Sequence, residues 1–387
     1  MISVKKKVLI ICRNDLKRAP RFIMEVNALK DKYEIFAYGE SGTIDGGYNF
    51  IPVKPLPAID FHLNYPTILR KALSFFISRI FSNQNAIKRR ALNFELNQLV
   101  NKDFDLVIVH HLKDLPLGVK LAESKKVKVI FNAHEYYPLE YEDIQEWMKT
   151  THLEYMDISR RYLPKVDICF CVGEIIAKKY FDEFALNSIV ITNSKKYYNL
   201  EPKMPGDKIK LIYHGGAVVS RRIDLMIEMM NHLDDSYTLD LILVGSPVEY
   251  ENELKKMAQS NKNITFLSPV DIEQIPVFTN SYDIGVFLLP PTNFNYANAL
   301  PNKFFEFLQA RLAIAIGPSP EMELLVKRYD LGIVANDFTA ASMANAIKSV
   351  GREKLYYYKT QCNKYAKELS IESNMEKIRE EVDKLVA

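Results

Sequence analysis

Residues 296–306 read YANALPNKFFE. They follow the apolar run DIGVFLLPP (283–291) and lead into FLQARLAIAIGP (307–318). The pattern predicts a strand, a polar loop, a short helix and a second buried strand. That order brings Asn298, the Leu300–Pro301–Asn302 backbone, Lys303 and Glu306 near one another. A helix N-terminus offers free amides and a positive dipole end, which suits an anion such as a diphosphate. Glu306 follows Lys303 by one helical turn, so the two share a face. One charge could then meet phosphate while the carboxylate meets hydroxyls. The alternative for this stretch alone is a capped helix carrying a surface Lys–Glu pair.

Outward from this stretch the chain alternates apolar runs with helical periodicity. KVLIIC (7–12) reads as a central parallel strand, RNDLKRAPR as a loop, and FIMEVNALK as a helix with Phe22, Val26 and Leu29 on one side. YEIFAYG closes a βαβ unit of a doubly wound sheet. DLVIVHH (105–111) and KVIFNAHE (128–135) are further strands with polar ends. Ligands of open parallel sheets bind beyond the carboxyl ends of strands, which singles out His110, His111, His134 and Glu135. Three histidines at two strand ends are a stronger signal than one, although structural histidines are common. VDICFCVG and SIVITN complete this half. KKYYNLEPKMPGDK (195–208) has the composition of a linker, and a second βα series starts at IKLIYHGG (209–216).

The second series holds another anion signal. IKLIYHGGAVVSRRIDLMIE places Gly215 and Gly216 at a strand–helix junction in a chain with only 14 glycines. Glycine permits close backbone approach. Arg221 and Arg222 would stand beside the helix N-terminus, where guanidinium groups and dipole both favour an anion. A tight turn followed by two solvated arginines is the plainer reading. Neither GxxxxGK[ST] nor GxGxxG occurs, which argues against a P-loop enzyme and a dinucleotide oxidoreductase. Both anion-suited loops follow strands of one sheet and so lie on its carboxyl edge. Facing polar strand ends across a cleft, they suggest a nucleotide-diphosphate ligand.

Composition bounds the remaining classes. The 387 residues are 48% hydrophobic and 26% charged, as expected of two soluble globular domains. A formal net charge of +3 gives no argument for a nucleic-acid partner. The N-terminal KKK precedes only VLIIC, too short for a signal peptide or a membrane span, so a cytoplasmic location is expected. Residues 64–92 mix Leu, Phe and Ile with Arg and Lys at helical spacing. They read as an amphipathic helix packed on the sheet, or as a face for an anionic membrane surface on the inner leaflet or for an anionic acceptor. Cys169 and Cys171 alternate within VDICFCVG and suit two thiols on one face of a buried strand. No second ligand pair stands at zinc spacing, so no metal is expected.

These residues together resemble glycosyltransferase family 4, whose members have the GT-B fold: two Rossmann-like doubly wound parallel-sheet domains facing across a cleft. The resemblance covers most of the chain and is weakest between residues 43 and 100. It is carried by APRFIMEVNALKDKYEIFAYG, DLVIVHHLKDLPLG, VKVIFNAHEYYP, YHGGAVVSRRIDLMIEMM and NALPNKFFEFLQARLAIAIG. It implies an acceptor-side domain over 1–195 and a donor-binding domain over 205–367, with helices from about 368–387 packing back on the first. His134 matches the histidine that meets the donor sugar, and Arg221 the diphosphate-binding arginine. Gly215 and Gly216 match the phosphate loop. Glu306 matches a glutamate that bonds ribose hydroxyls. Lys303 and the Leu300–Pro301–Asn302 backbone would meet diphosphate and sugar, and Val270 the base.

Three positions depart from the family pattern, and Arg222, where glycine is often found, is one of them. Asn298 stands where the first glutamate of a pair is expected, eight residues before Glu306 at the second, and a neutral amide cannot serve as an anionic nucleophile. Arg311 stands where glycine is usual. The family's reaction is retaining and delivers the acceptor on the face of the leaving diphosphate, which requires no protein nucleophile. The implied function is therefore retaining transfer of a sugar from a nucleotide-diphosphate donor, a UDP-sugar, to a glycan or lipid-linked glycan acceptor in polysaccharide biosynthesis. Arg221, His134 and Asn298 are the expected catalytic positions, with no cofactor beyond the donor substrate. Two other readings stay open. A nucleotide-sugar 2-epimerase would convert donor without acceptor. A non-catalytic glycan- or nucleotide-binding partner in an assembly complex would tolerate loss of His134 or Arg221.

Overall fold

The computed structural model describes residues 5–43, 46–57, 84–245 and 247–387. The basic, apolar segment at 64–92 falls largely outside the described residues, and with it the face expected for a membrane surface; only its end, in the helix Gln84–Leu99, is described. Among the described residues no helix is long and apolar enough to cross a membrane.

Among the described residues seven strands form the first sheet: β1 (Lys7–Ile11), β2 (Glu34–Gly39), β3 (Asn49–Pro52), β4 (Leu106–His110), β5 (Lys128–Ala133), β6 (Ile168–Cys171) and β7 (Ser188–Val190). Six form the second: β8 (Ile209–Gly216), β9 (Tyr237–Val244), β10 (Ile264–Leu267), β11 (Ile284–Phe287), β12 (Ala313–Ile316) and β13 (Gly332–Val334). Their orders are β3-β2-β1-β4-β5-β6-β7 and β10-β9-β8-β11-β12-β13, and every pairing is parallel. Strand direction of growth reverses between β1 and β4 and again between β8 and β11. These switch points leave crevices at the carboxyl ends.

The apolar runs form central strands because both sheet faces are covered. Alternate residues of β1 enter opposite cores: Leu9 and Ile11 pack with Val107 and Val109, while Val8 and Ile10 pack with Ile108. The second of these cores also takes Ile378, Val382 and Val386 from the last helix, Ile371–Val386. Their spacing of four puts them on one helix face. That helix lies against the helix Pro20–Leu29, with Arg379 Nε donating to the Ala28 carbonyl at 3.1 Å. The chain's C-terminus is thus anchored on the first sheet.

Strand β3 is absent from the sequence reading. Its four residues, NFIP, are only partly buried, so they carry no apolar run. The linker is fastened rather than free. Tyr198 N–H donates to Gln309 Oε1 at 3.2 Å, and its carbonyl accepts from Arg311 Nη2 at 2.6 Å. The two sheets' loops also meet directly. Glu321 accepts from the N–H groups of Glu174 and Ile175, at 2.7 and 2.8 Å, at the start of the helix Glu174–Phe184. Asn295 accepts from Tyr136 N–H at 2.8 Å and donates to the Tyr136 carbonyl at 3.1 Å. Both the Glu321 and the Asn295 contacts join the chain just after a first-sheet strand to a helix that follows a second-sheet strand.

Candidate functional site

Strand β11 ends at Phe287, a short helix Phe294–Ala297 follows, and the helix Asn302–Gln309 begins after Pro301. This second helix is buried on nearly every side, Lys303 and Glu306 included, each 6% exposed. The surface Lys–Glu pair is therefore ruled out. Lys303 Nζ lies 3.8 Å from the Tyr213 ring centre and 4.3 Å from that of Phe287, and has no hydrogen-bond partner among the described residues. Burial and the charge of Arg221 push its pKa well below the ordinary lysine value, with Glu306 partly opposing. Aromatic faces attract a cation, yet they offset only part of what burying an ammonium costs. A buried, unpaired ammonium at a helix N-terminus is what an anion site requires.

Gly215 and Gly216, at the end of β8, make the room. A Cβ on Gly215 would lie 3.1 Å from Lys303 Nζ, and one on Gly216 2.9 Å from Arg221 Nη1. Gly215 also has φ of +132°, which disfavours any side chain. The glycines thus admit two cations as well as a close ligand. Arg221 Nη1 donates to the Gly216 carbonyl at 3.1 Å. Arg222 turns away: it caps the next helix with φ of 48° and pairs with Asp224 at 2.8 Å. Charge and spacing alone treat the two arginines alike, family resemblance singles out Arg221, and the backbone conformation turns Arg222 away from the site.

A cavity of about 510 Å³ opens at this switch point. Gly215, Arg221, Val270, Pro301, Asn302, Lys303 and Glu306 all line it. Gly216, Asn298 and Leu300 do not appear on its wall, and Leu300 packs in the core. Asn298 is 5% exposed and its Nδ2 donates to the Phe294 carbonyl at 2.8 Å, closing the short helix. A carboxylate could not make that donation, which gives the amide a structural reason at this position. Arg311, at the position where glycine is usual, fastens the linker. It adopts φ of 61°, is fully buried, and spends its guanidinium on Asn363, Gln309 and the linker carbonyl of Tyr198.

Three residues at the site were not legible in the sequence, two of them, Asn193 and His214, on the cavity wall. Lys195, from the linker, pairs with Glu306 at 2.9 Å. Asn193, after β7, brings the first half to the cavity. His214 places Nδ1 3.5 Å from the other Glu306 oxygen, while its Nε2 has no partner among the described residues. Burial, helped by Lys303 and Lys195, pushes the His214 pKa down to about 3. The unfolded chain protonates this histidine below about 6.5 and the folded one does not. His214 therefore removes up to about 1.4 kcal/mol of stability for each pH unit between those values as pH falls. His214→Asn is expected to make the acid side of the stability profile shallower by that amount. Urea unfolding at pH 7, 6, 5 and 4 checks this, and parallel profiles for the two proteins would sink it.

On the first sheet the strand ends assemble as expected from their polar residues. His110 Nδ1 lies 3.0 Å from His134 Nε2, and the His111 ring centre 4.8 Å from that of His134. His111 has φ of 59° and is held by Asn14 at 3.0 Å and the Tyr137 hydroxyl at 2.9 Å. Burial, with His110 adding, lowers the His111 pKa to about 4. Burial first, then the nearby His110 and Arg21, hold His134 well below the usual histidine value. Glu135 is raised to about 8, mainly by burial and then by Glu140. His134 is not on the wall of the 510 Å³ cavity. It is tied to it through the next residues, since Tyr136 holds Asn295 ahead of the Asn302–Gln309 helix.

No family model matches the sequence, and no curated protein matches it. Solved structures do. The chain is similar to HepE from Anabaena in complex with UDP-glucose, at 12% identity and a TM-score of 0.66 over 98% of this chain and 100% of that one. It is similar to sucrose-phosphate synthase from Thermosynechococcus elongatus, at 11% identity and a TM-score of 0.70 over 98% and 99%. It is also similar to WaaG, a glycosyltransferase involved in lipopolysaccharide biosynthesis, at 12% identity and a TM-score of 0.62 over 96% and 98%. Likeness at such identities is one of fold, and with two Rossmann-like parallel sheets of seven and six strands the chain has the GT-B fold.

Proposed function

We propose that the protein is a glycosyltransferase that moves a sugar from a nucleotide-diphosphate donor to a glycan or lipid-linked glycan acceptor. Buried Lys303, whose Nζ has no hydrogen-bond partner among the described residues, carries this reading, set with Arg221 and a helix N-terminus at the switch point of the second sheet. Breaking a glycosyl–phosphate bond sends an electron pair to the diphosphate. Preorganised positive groups around that leaving group are the usual largest source of such catalysis. Glu306 would accept from ribose hydroxyls in place of Lys195, and Val270 stands where a base would lie. HepE binds UDP-glucose, which supports a UDP-sugar as donor here. A retaining course is the reading from family resemblance. On this reading the 64–92 segment attaches the enzyme to an anionic inner membrane surface.

Thermal unfolding with UDP, GDP, UDP-glucose and other nucleotide sugars tests the proposal. A ligand at a hundred times its Kd adds about 2.7 kcal/mol of stability, a shift of several degrees. Failure of every nucleotide diphosphate and every nucleotide sugar to raise the melting temperature would refute it. Conversion of a bound UDP-sugar without any acceptor would point instead to epimerase chemistry.

A further inference from the structure

Behind His134 runs a hydrogen-bond chain whose direction is set at its far end. Arg21 is 7% exposed, and its Nε donates to Asn132 Oδ1 at 2.9 Å. A guanidinium only donates, so Asn132 presents its oxygen to Arg21 and its NH₂ to Glu25 Oε1. The other oxygen of Glu25 lies 2.7 Å from His110 Nε2, with both side chains fully buried. His110 Nδ1 then lies 3.0 Å from His134 Nε2. No hydrogen bond to His134 Nδ1 occurs among the described residues, and that ring is half-buried at the carboxyl end of β5.

Each link fixes the next. Glu25 accepts at both oxygens, so the hydrogen between it and His110 sits on His110 Nε2. The Arg21 and Glu25 charges cancel, so a neutral His110 leaves the buried chain without net charge; its lone pair is then on Nδ1 and accepts from His134 Nε2–H. His134 is left with its lone pair on Nδ1. The charge balance agrees: burial pushes the Arg21 guanidinium down in pKa, and the Glu25 carboxylate opposes that shift.

We propose that Glu25 and His110 are positioning residues that hold His134 with its hydrogen on Nε2 and its lone pair on Nδ1. His134 is then an acceptor for a sugar hydroxyl in the cleft and a poor neighbour for phosphate oxygens. The hydroxyl partner rests on the transferase reading above; the tautomer does not. Glu25 falls within the matched stretch APRFIMEVNALK, but its contact with His110, 85 residues on, is not visible in the sequence.

Long-range proton–nitrogen NMR of the full chain labelled with ¹⁵N-histidine tests this at neutral pH. The seven histidines give a countable spectrum. His134 Nδ1, assigned by loss of its signals in His134→Gln, is expected at the unprotonated position. A protonated Nδ1, in either the other tautomer or an imidazolium, overturns the proposal. Glu25→Gln provides a second readout. Asn132 cannot turn without losing Arg21, so the new amide would set its oxygen on Asn132 and its NH₂ on His110. That reverses the chain and moves the His134 hydrogen to Nδ1. An unchanged His134 tautomer in a Glu25→Gln protein that still melts cooperatively overturns the proposal. Should that variant not fold, the wild-type spectrum decides alone. UDP failing to stabilise the wild type would remove the transferase reading and leave the tautomer result standing.

Discussion

Replacing Lys303 by methionine is expected to raise the melting temperature of the unliganded protein and to abolish its stabilisation by UDP. The two effects have one cause. Lys303 Nζ is buried against Tyr213 and Phe287 with no carboxylate in an ion pair and no hydrogen-bond partner among the described residues. Cation–π attraction at a desolvated site is worth about 2 kcal/mol, and burying an ammonium costs several. Methionine has a similar length, fills the same slot and keeps favourable contact with the rings. Exchanging buried charge for apolar side chains has stabilised other proteins by about 1–4 kcal/mol, and each kcal/mol moves the melting point of a domain of this size by about 2–4 °C. Calorimetry of both proteins with and without UDP measures the two effects together. A less stable K303M protein that still responds fully to UDP would show that Lys303 is structural.

A linked proton follows from the same burial. In the free protein Lys303 has its pKa held well below the lysine value by burial and Arg221. A diphosphate beside it raises that pKa. Above the free-state pKa, binding of UDP therefore takes up protons, and titration calorimetry in buffers of different ionisation enthalpy reads the number. K303M should remove the uptake.

Arg221→Ala is expected to lower kcat/KM for the nucleotide sugar by about 10²–10³, the loss typical of one preorganised donor to developing charge. Among the described residues its guanidinium donates to the Gly216 carbonyl at 3.1 Å through one nitrogen, which leaves donors for a ligand. Unliganded stability should change by no more than about 0.5 kcal/mol, since no packed core residue is removed. Arg221→Lys should rescue little, because a point charge does not reproduce the planar fork. Steady-state kinetics with UDP displacement check the prediction. Unchanged UDP affinity and turnover in the alanine variant would exclude Arg221 from the site.

The architecture was legible because it depends on local pattern. Doubly covered strands must be apolar along their length, so KVLIIC, DLVIVHH and DIGVFLLP announce themselves without any partner in view. Their alternation with helical spacing suffices for parallel sheets, and the loops at Gly215 and Asn302 follow from where those strands end. Short, half-exposed β3 lacks that pattern and was missed for the same reason.

The chemistry of the site depends on pairs that no local pattern contains. Lys195 meets Glu306 across 111 residues, and Glu25 meets His110 across 85. Solvation is equally non-local. The chain alone offered Lys303 and Glu306 as a possible surface pair, and packing buried both and left them with different neighbours. Backbone conformation separated Arg221 from Arg222 and turned Asn298 onto its own helix. Which elements form is decided by how much apolar surface each segment must hide, a property of the segment. Which charge stays unpaired, and so waits for a ligand, is decided by what the folded chain places around it.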